Sequence, residues 1–192
     1  MSQSLSVILP VSNAEHQLAR RVEELLEVTT ELTHRLELMI VDDGSTDGTE
    51  EVAMDLCRVY PQVNVIRYSK KLGRIGAIRA GMSQTTGDLV LLHDMSSPVS
   101  SEAIRQFWEM RNDQELVLAR SEASHAAPTP YSAKAASWSG SQMLRREAVD
   151  ELQGRPRAKV DRVTRTDLAD GAGQRNSLLR ELAGARDAME PS

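Results

Sequence analysis

Short apolar runs alternate along this chain with longer stretches in which apolar residues return every third or fourth position. The runs fall at 6–10, 37–41, 63–68, 89–93 and 115–119. Several are continuous rather than alternating, the pattern of parallel strands covered on both faces. Helices are predicted at 14–30, 48–59, 74–84 and 101–111. In the first, Leu18, Val22, Leu25 and Leu26 share one face, with Glu and Arg residues opposite. Asn13 is placed to cap that helix, and Thr46 or Asp47 the next. Strand–helix–strand alternation at this spacing implies right-handed crossovers and a mostly parallel sheet, so the chain reads as α/β.

Past residue 119 the periodicity weakens. Residues 121–141 are rich in Ser, Ala and Pro, with Pro128 and Pro130, and read as a long loop. A short helix is expected at 145–152. From 153 the chain is dominated by Arg, Asp, Gly and Ala, with a helical patch near 176–185 and a candidate strand at 159–164. The predicted organisation is therefore one domain over 1–152 and a tail over 153–192 to which no fold is assigned.

The composition fits a globular domain: 192 residues with 40% hydrophobic and 27% charged positions can bury a core. Aromatics are only 3%, so that core is aliphatic. A net charge of −5 argues against nucleic acid as a partner. Cys57 is the one cysteine and lies in an apolar helical pattern, which excludes an internal disulfide and a cysteine zinc site. No run approaches the ~18 apolar residues of a membrane span. The start of the chain lacks the regions of a signal peptide, so a cytoplasmic location is expected.

Candidate chemistry sits where the strands end. Residues 41–49 read Val-Asp-Asp-Gly-Ser-Thr-Asp-Gly-Thr directly after an apolar run. That places Asp42, Asp43 and Ser45 at the C-terminal edge of the sheet, where open α/β sheets take ligands. As local structure alone these are turn and cap residues. An EF-hand is excluded, because Met54 stands where the bidentate Glu belongs and a strand precedes the loop. The second motif, residues 71–81, follows the third strand. There Gly73 and Gly76 permit close backbone approach, and Lys70, Lys71, Arg74 and Arg79 offer charge to a diphosphate. Its glycine spacing is not that of a dinucleotide fingerprint. The third, residues 87–96, ends a strand in His93, Asp94 and Ser96. His93 is expected on the opposite face from Asp94.

Taken in order on βα units, these motifs, with Pro10 and Asn13 after the first strand, resemble family 2 glycosyltransferases, which have the GT-A fold. The likeness covers residues 5–120 well and 137–152 moderately. It implies a three-layer, mostly parallel sheet, a nucleotide-binding half at 5–120 and a reduced acceptor half at 121–152. It also implies a nucleoside-diphosphate sugar held by Pro10, Asn13, Asp42, Asp43, Ser45, Lys71, Gly73, Arg74 and Asp94, and a Mn2+ or Mg2+ ion on Asp94.

The departures from the family pattern are as specific as the matches. Active members end the fourth strand in Asp-any-Asp. Here one of the pair is lost: in the ungapped register Asp94 takes the first place and Ser96 the second, whereas a register anchored on Pro98 puts Leu92 first and Asp94 second; a hydroxyl is a weak ligand for a hard cation. Ser12 replaces an aromatic that packs on the base, and Ala14 replaces an acidic residue. The acceptor-side Asp corresponds to Ala135 or Ala136, and no carboxylate occurs between Glu122 and Glu147. Two functions are implied. One is transfer of a sugar from a nucleoside diphosphate to an acceptor. The alternative is a catalytically inactive relative that binds the nucleotide sugar or acts as an interaction or regulatory module with a protein partner.

Overall fold

The structure, a computed structural model, describes residues 3–112, 118–120 and 140–147. In chain order the elements are β1 (Leu5–Val11), α1 (Leu18–Leu32), β2 (Leu36–Asp43), α2 (Thr49–Val59), β3 (Val63–Tyr68), α3 (Gly73–Ser83), β4 (Leu89–His93) and α4 (Ser101–Glu109). A 3-10 turn at Met110–Asn112, β5 (Leu118–Arg120) and β6 (Ser141–Arg145) follow. The sheet order is β3-β2-β1-β4-β6-β5. β1 to β4 are parallel, whereas β6 runs antiparallel to both β4 and β5. The chain winds outward from β1 through β2 and β3, then returns to lay β4 on β1's other side. The crevice at the C-terminal ends of β1 and β4 is thus a topological switch point.

Alternation along the strands divides the core in two. Leu5, Val7, Leu9, Leu38, Ile40 and Leu91 face α1, α2 and α4, meeting Leu18, Val22, Leu25, Ala53, Leu56, Ile104, Phe107 and Trp108. On the other face Ile8, Val41, Val90 and Leu92 meet Ala77, Ile78 and Met82 of α3. This is the three-layer α/β arrangement expected from the runs. Gly81 brings α3 down onto the sheet, since a Cβ there would lie 2.6 Å from Ile8 Cγ2.

The parallel strands and four helices follow the apolar pattern, with boundaries shifted by a few residues. Three expectations need correction. α1 begins at Leu18 rather than near residue 14, and its N-cap is Gln17, without a side-chain cap bond. Asn13 instead takes a left-handed conformation (φ 52°) and bonds across to the next loop. The N-cap of α2 is Gly48, although Asp47 accepts from the amide and hydroxyl of Thr49 one step later. The helix expected at 145–152 starts one residue later than expected, at Arg146, because Arg145 is the last residue of β6; Arg146 and Glu147 are its described residues. Pairing with β4 through Leu89↔Arg145 and His93↔Ser141 supplies the ladder that local propensity did not signal. Residues 148–152, most of the 121–141 loop, and the tail segments 159–164 and 176–185 lie outside the described residues.

Candidate active site at the β1–β4 crevice

A pocket of about 180 Å³ opens at the switch point, lined by Pro10, Val11, Ser12, Asp43, Arg74, Ala77, His93 and Asp94. The ends of three neighbouring strands and the first turn of α3 converge on it. Four residues expected to hold a nucleotide, Pro10, Asp43, Arg74 and Asp94, therefore meet in one place.

Asp43 is buried, and both its oxygens are engaged. Oδ1 accepts from the amide of Leu72 (2.5 Å) and Oδ2 from that of Gly73 (3.0 Å). The carboxylate satisfies two of the donors that a helix start leaves without partners. Gly73 has φ 74°, which admits glycine at no steric cost and turns the chain into α3. The loop after β2 packs closely on this segment, since a Cβ at Gly44 would meet Lys71 Cγ at 3.3 Å. Lys71 is exposed on the rim.

Asp42 faces the other way, toward α2. Its Oδ1 accepts from Ser45 N (3.0 Å), while Oδ2 is buried without a hydrogen-bond partner among the described residues. Arg67 Nε stands 3.5 Å from Oδ2, and its Nη1 pairs with Glu50 Oε2 at 2.5 Å. Arg67 was not singled out in the sequence, although β2 and β3 place it directly opposite Asp42.

The loops after β1 and β2 are laced together. Ser45 Oγ accepts from Asn13 N (2.9 Å), and Asn13 Oδ1 accepts from Thr46 N (2.9 Å). Thr49 Oγ1 accepts from Ala14 N (2.7 Å). Glu15 Oε2 accepts from Gly48 N (3.0 Å). Glu15 was also missed, and it supplies a carboxylate one position after Ala14, where the acidic residue was noted as lost.

Asp94 follows β4 directly. Its Oδ2 accepts from Ser96 Oγ (2.7 Å) and pairs with Arg74 Nη2 (2.9 Å), and its Oδ1 accepts from Ser96 N (3.2 Å). Burial pushes the carboxyl pKa up, but the Ser96 hydroxyl and amide and the Arg74 guanidinium outweigh it and hold it below the usual carboxylate range. His93 lies on the α1 side of the sheet and is fully buried, with Nδ1 2.9 Å from Ser141 Oγ. Burial, together with the nearby positive charge of Arg21, pushes its pKa down to about 4, so the ring is neutral at neutral pH. Gly140 joins this corner: its amide donates to Ser97 Oγ (2.8 Å) and its carbonyl accepts from Asp94 N (3.0 Å).

Residues 6–123 match the model of glycosyl transferase family 2. The chain belongs to this family. A dolichyl-phosphate beta-glucosyltransferase of Homo sapiens is 31% identical over 119 residues, covering 58% of this chain and 37% of that one. An undecaprenyl-phosphate 4-deoxy-4-formamido-L-arabinose transferase of Photorhabdus laumondii is 33% identical over 94 residues, covering 48% and 29%. The chain thus spans less than half the length of the curated relatives it matches. Among solved structures, a mannosyltransferase from Pyrobaculum calidifontis in complex with GDP-Man and Mn2+ superposes with a TM-score of 0.62 at 16% identity, over 81% of this chain and 48% of that one. S. aureus TarS in complex with UDP-GlcNAc gives 0.52 at 18% identity, over 66% and 37%. These likenesses establish the GT-A fold.

The Mn2+ of the Pyrobaculum calidifontis complex, which shares the fold, makes the donor set here worth testing. No group of three or more His, Cys, Asp or Glu side chains converges among the described residues. The remaining candidate ligand, Asp94, is committed to Ser96 and to a guanidinium, and a cation at Oδ2 would meet the Arg74 charge head-on. A divalent ion favours several charged or carbonyl oxygens, and the residues present do not fit one. No described helix is long and apolar enough to cross a membrane.

Proposed function

We propose that this chain is the donor-binding part of a family 2 glycosyltransferase and holds a nucleoside-diphosphate sugar at the β1–β4 crevice. The observation that carries the reading is the convergence of Pro10, Asp43, Arg74 and Asp94 on one pocket at the switch point. The pocket is smaller than the ~300–1,000 Å³ of whole-ligand sites, so it suits the diphosphate, with base and sugar extending over the open rim near Asn13, Ser45 and Lys71. The buried Asp42 Oδ2, which accepts no hydrogen bond among the described residues and has Arg67 Nε at 3.5 Å, is the group best suited to accept a base N–H or ribose hydroxyl.

The acceptor we propose is a polyprenyl phosphate, the acceptor named by the human and Photorhabdus relatives. A phosphate monoester has its second pKa near ~6 and is already an anion at neutral pH. It needs no general base, which suits a chain with no carboxylate between Glu122 and Glu147. The sugar C1–O bond to the diphosphate breaks with its electron pair leaving on the nucleoside diphosphate, as a bond from C1 to the acceptor phosphate oxygen forms. A second reading, a catalytically inactive nucleotide-sugar-binding or interaction module, is favoured by the internal engagement of both Asp43 and Asp94.

Unfolding of the chain against UDP, GDP, dTDP and their sugars tests the donor site. A ligand at 100 times its dissociation constant adds about 2.7 kcal/mol of stability. Absence of any shift overturns the reading. Incorporation of labelled sugar into extractable polyprenyl phosphate then separates the transferase from the inactive module.

A further inference from the structure

We propose that the guanidinium of Arg74, fixed on Asp94, is the cation this chain sets against the donor diphosphate, in place of a divalent metal ion. The inference rests on the donor-site reading above and specifies its charge chemistry.

Three observations lead to it. First, both oxygens of Asp94 are engaged: Arg74 and the Ser96 hydroxyl share Oδ2 at 2.9 and 2.7 Å, and the Ser96 amide donates to Oδ1. In the ungapped register, the residue that leaves a metal ion without a second carboxylate, Ser96, is the same one that ties down the first. Second, several backbone amides in the loops around the crevice are already paired. Asp43 takes those of Leu72 and Gly73, Asn13 takes Thr46, Glu15 takes Gly48 and Asp47 takes Thr49. With those amides taken, side chains carry more of the positive charge offered to the phosphates. Third, Arg74 is the cation that lines the pocket, and its side chain remains 34% exposed while it is held on Asp94. Lys71 stands three residues before it on the rim.

A guanidinium presents its donors in a planar fork that matches phosphate oxygens, and Asp94 sets the plane of that fork before ligand arrives. The Arg74–Asp94 pair is net neutral, whereas a divalent ion on one carboxylate carries a net positive charge. Binding is accordingly weaker than in a metal-loaded site and falls with ionic strength.

The test is isothermal titration of the 192-residue chain with UDP, GDP and inorganic pyrophosphate, each in EDTA and in Mn2+. One nucleoside diphosphate is expected to bind in EDTA, with affinity changed less than about threefold by Mn2+. Arg74→Gln is expected to weaken that diphosphate by at least about tenfold, ~1.4 kcal/mol, and to leave the parent nucleoside unaffected, while Arg74→Lys recovers part of the loss. Binding that requires Mn2+, or an Arg74→Gln variant with undiminished diphosphate affinity, overturns the inference and leaves the donor-site reading standing. No nucleotide binding in either condition overturns both. Should Arg74→Gln fail to fold, the comparison of EDTA with Mn2+ in the unaltered chain still decides.

Discussion

Acidification from about pH 7.5 to 5 is expected to cost this chain about 2 kcal/mol through His93 alone. The ring is fully buried, and burial together with the positive charge of Arg21 lowers its pKa from 6.5 to about 4, against weaker opposing effects of a hydrogen bond with the Ser97 backbone and of Asp94 and Glu24. The unfolded chain takes up a proton at the ordinary value, whereas the folded chain resists it. Stability from this group is therefore present in full above about pH 6.5 and drains as pH falls toward about 4, reaching a loss of about 3 kcal/mol. That is a large share of the roughly 5–15 kcal/mol that holds a domain of this kind together. The assay is urea unfolding at several values between about pH 7.5 and 5, for the unaltered chain and for His93→Gln. Glutamine is uncharged and keeps a polar group for Ser141. The unaltered chain should approach a slope of about 1.4 kcal/mol per pH unit relative to the variant at the acid end of this window. The depressed carboxylates, Glu24, Asp47, Asp88 and Asp94, lose their contribution only at lower pH, as it falls through their folded values. Parallel curves for the two proteins would refute the reasoning, because they would mean that His93 titrates alike folded and unfolded.

Asp43→Ala should abolish nucleotide binding and lower stability by about 2 kcal/mol, since two amides at the start of α3 lose a charged acceptor; unchanged affinity in titration sinks the role. Ser96→Asp restores a second carboxylate beside Asp94 and should raise Mn2+ affinity; no change in a Mn2+ titration argues that the register places the lost carboxylate elsewhere. Gly81→Ala should cost about 1–3 kcal/mol by overpacking, because its Cβ meets Ile8 Cγ2 at 2.6 Å and Val41 Cγ2 at 3.1 Å; an unshifted urea midpoint is the contrary result.

Much of this protein was legible in the order of its residues. Continuous apolar runs marked the parallel strands because a strand covered on both faces has no polar side to show. The run of Asp42, Asp43, Gly44 and Ser45 after such a strand pointed to the edge where the candidate site lies, because strand ends in this architecture meet at one edge. Local sequence was silent on β6, whose strand character comes from pairing with β4, and on Asn13, whose side chain bonds a loop 33 residues away. The same holds for the direction each carboxylate takes. Asp42 and Asp43 are adjacent in sequence, yet the pleat sends one toward Arg67 and α2 and the other into the start of α3. Sequence put Pro10, Asp43, Arg74 and Asp94 among the candidates for the crevice that they line. Only the tertiary structure decided which of them are already bound to one another, because those bonds join segments that the chain order keeps apart.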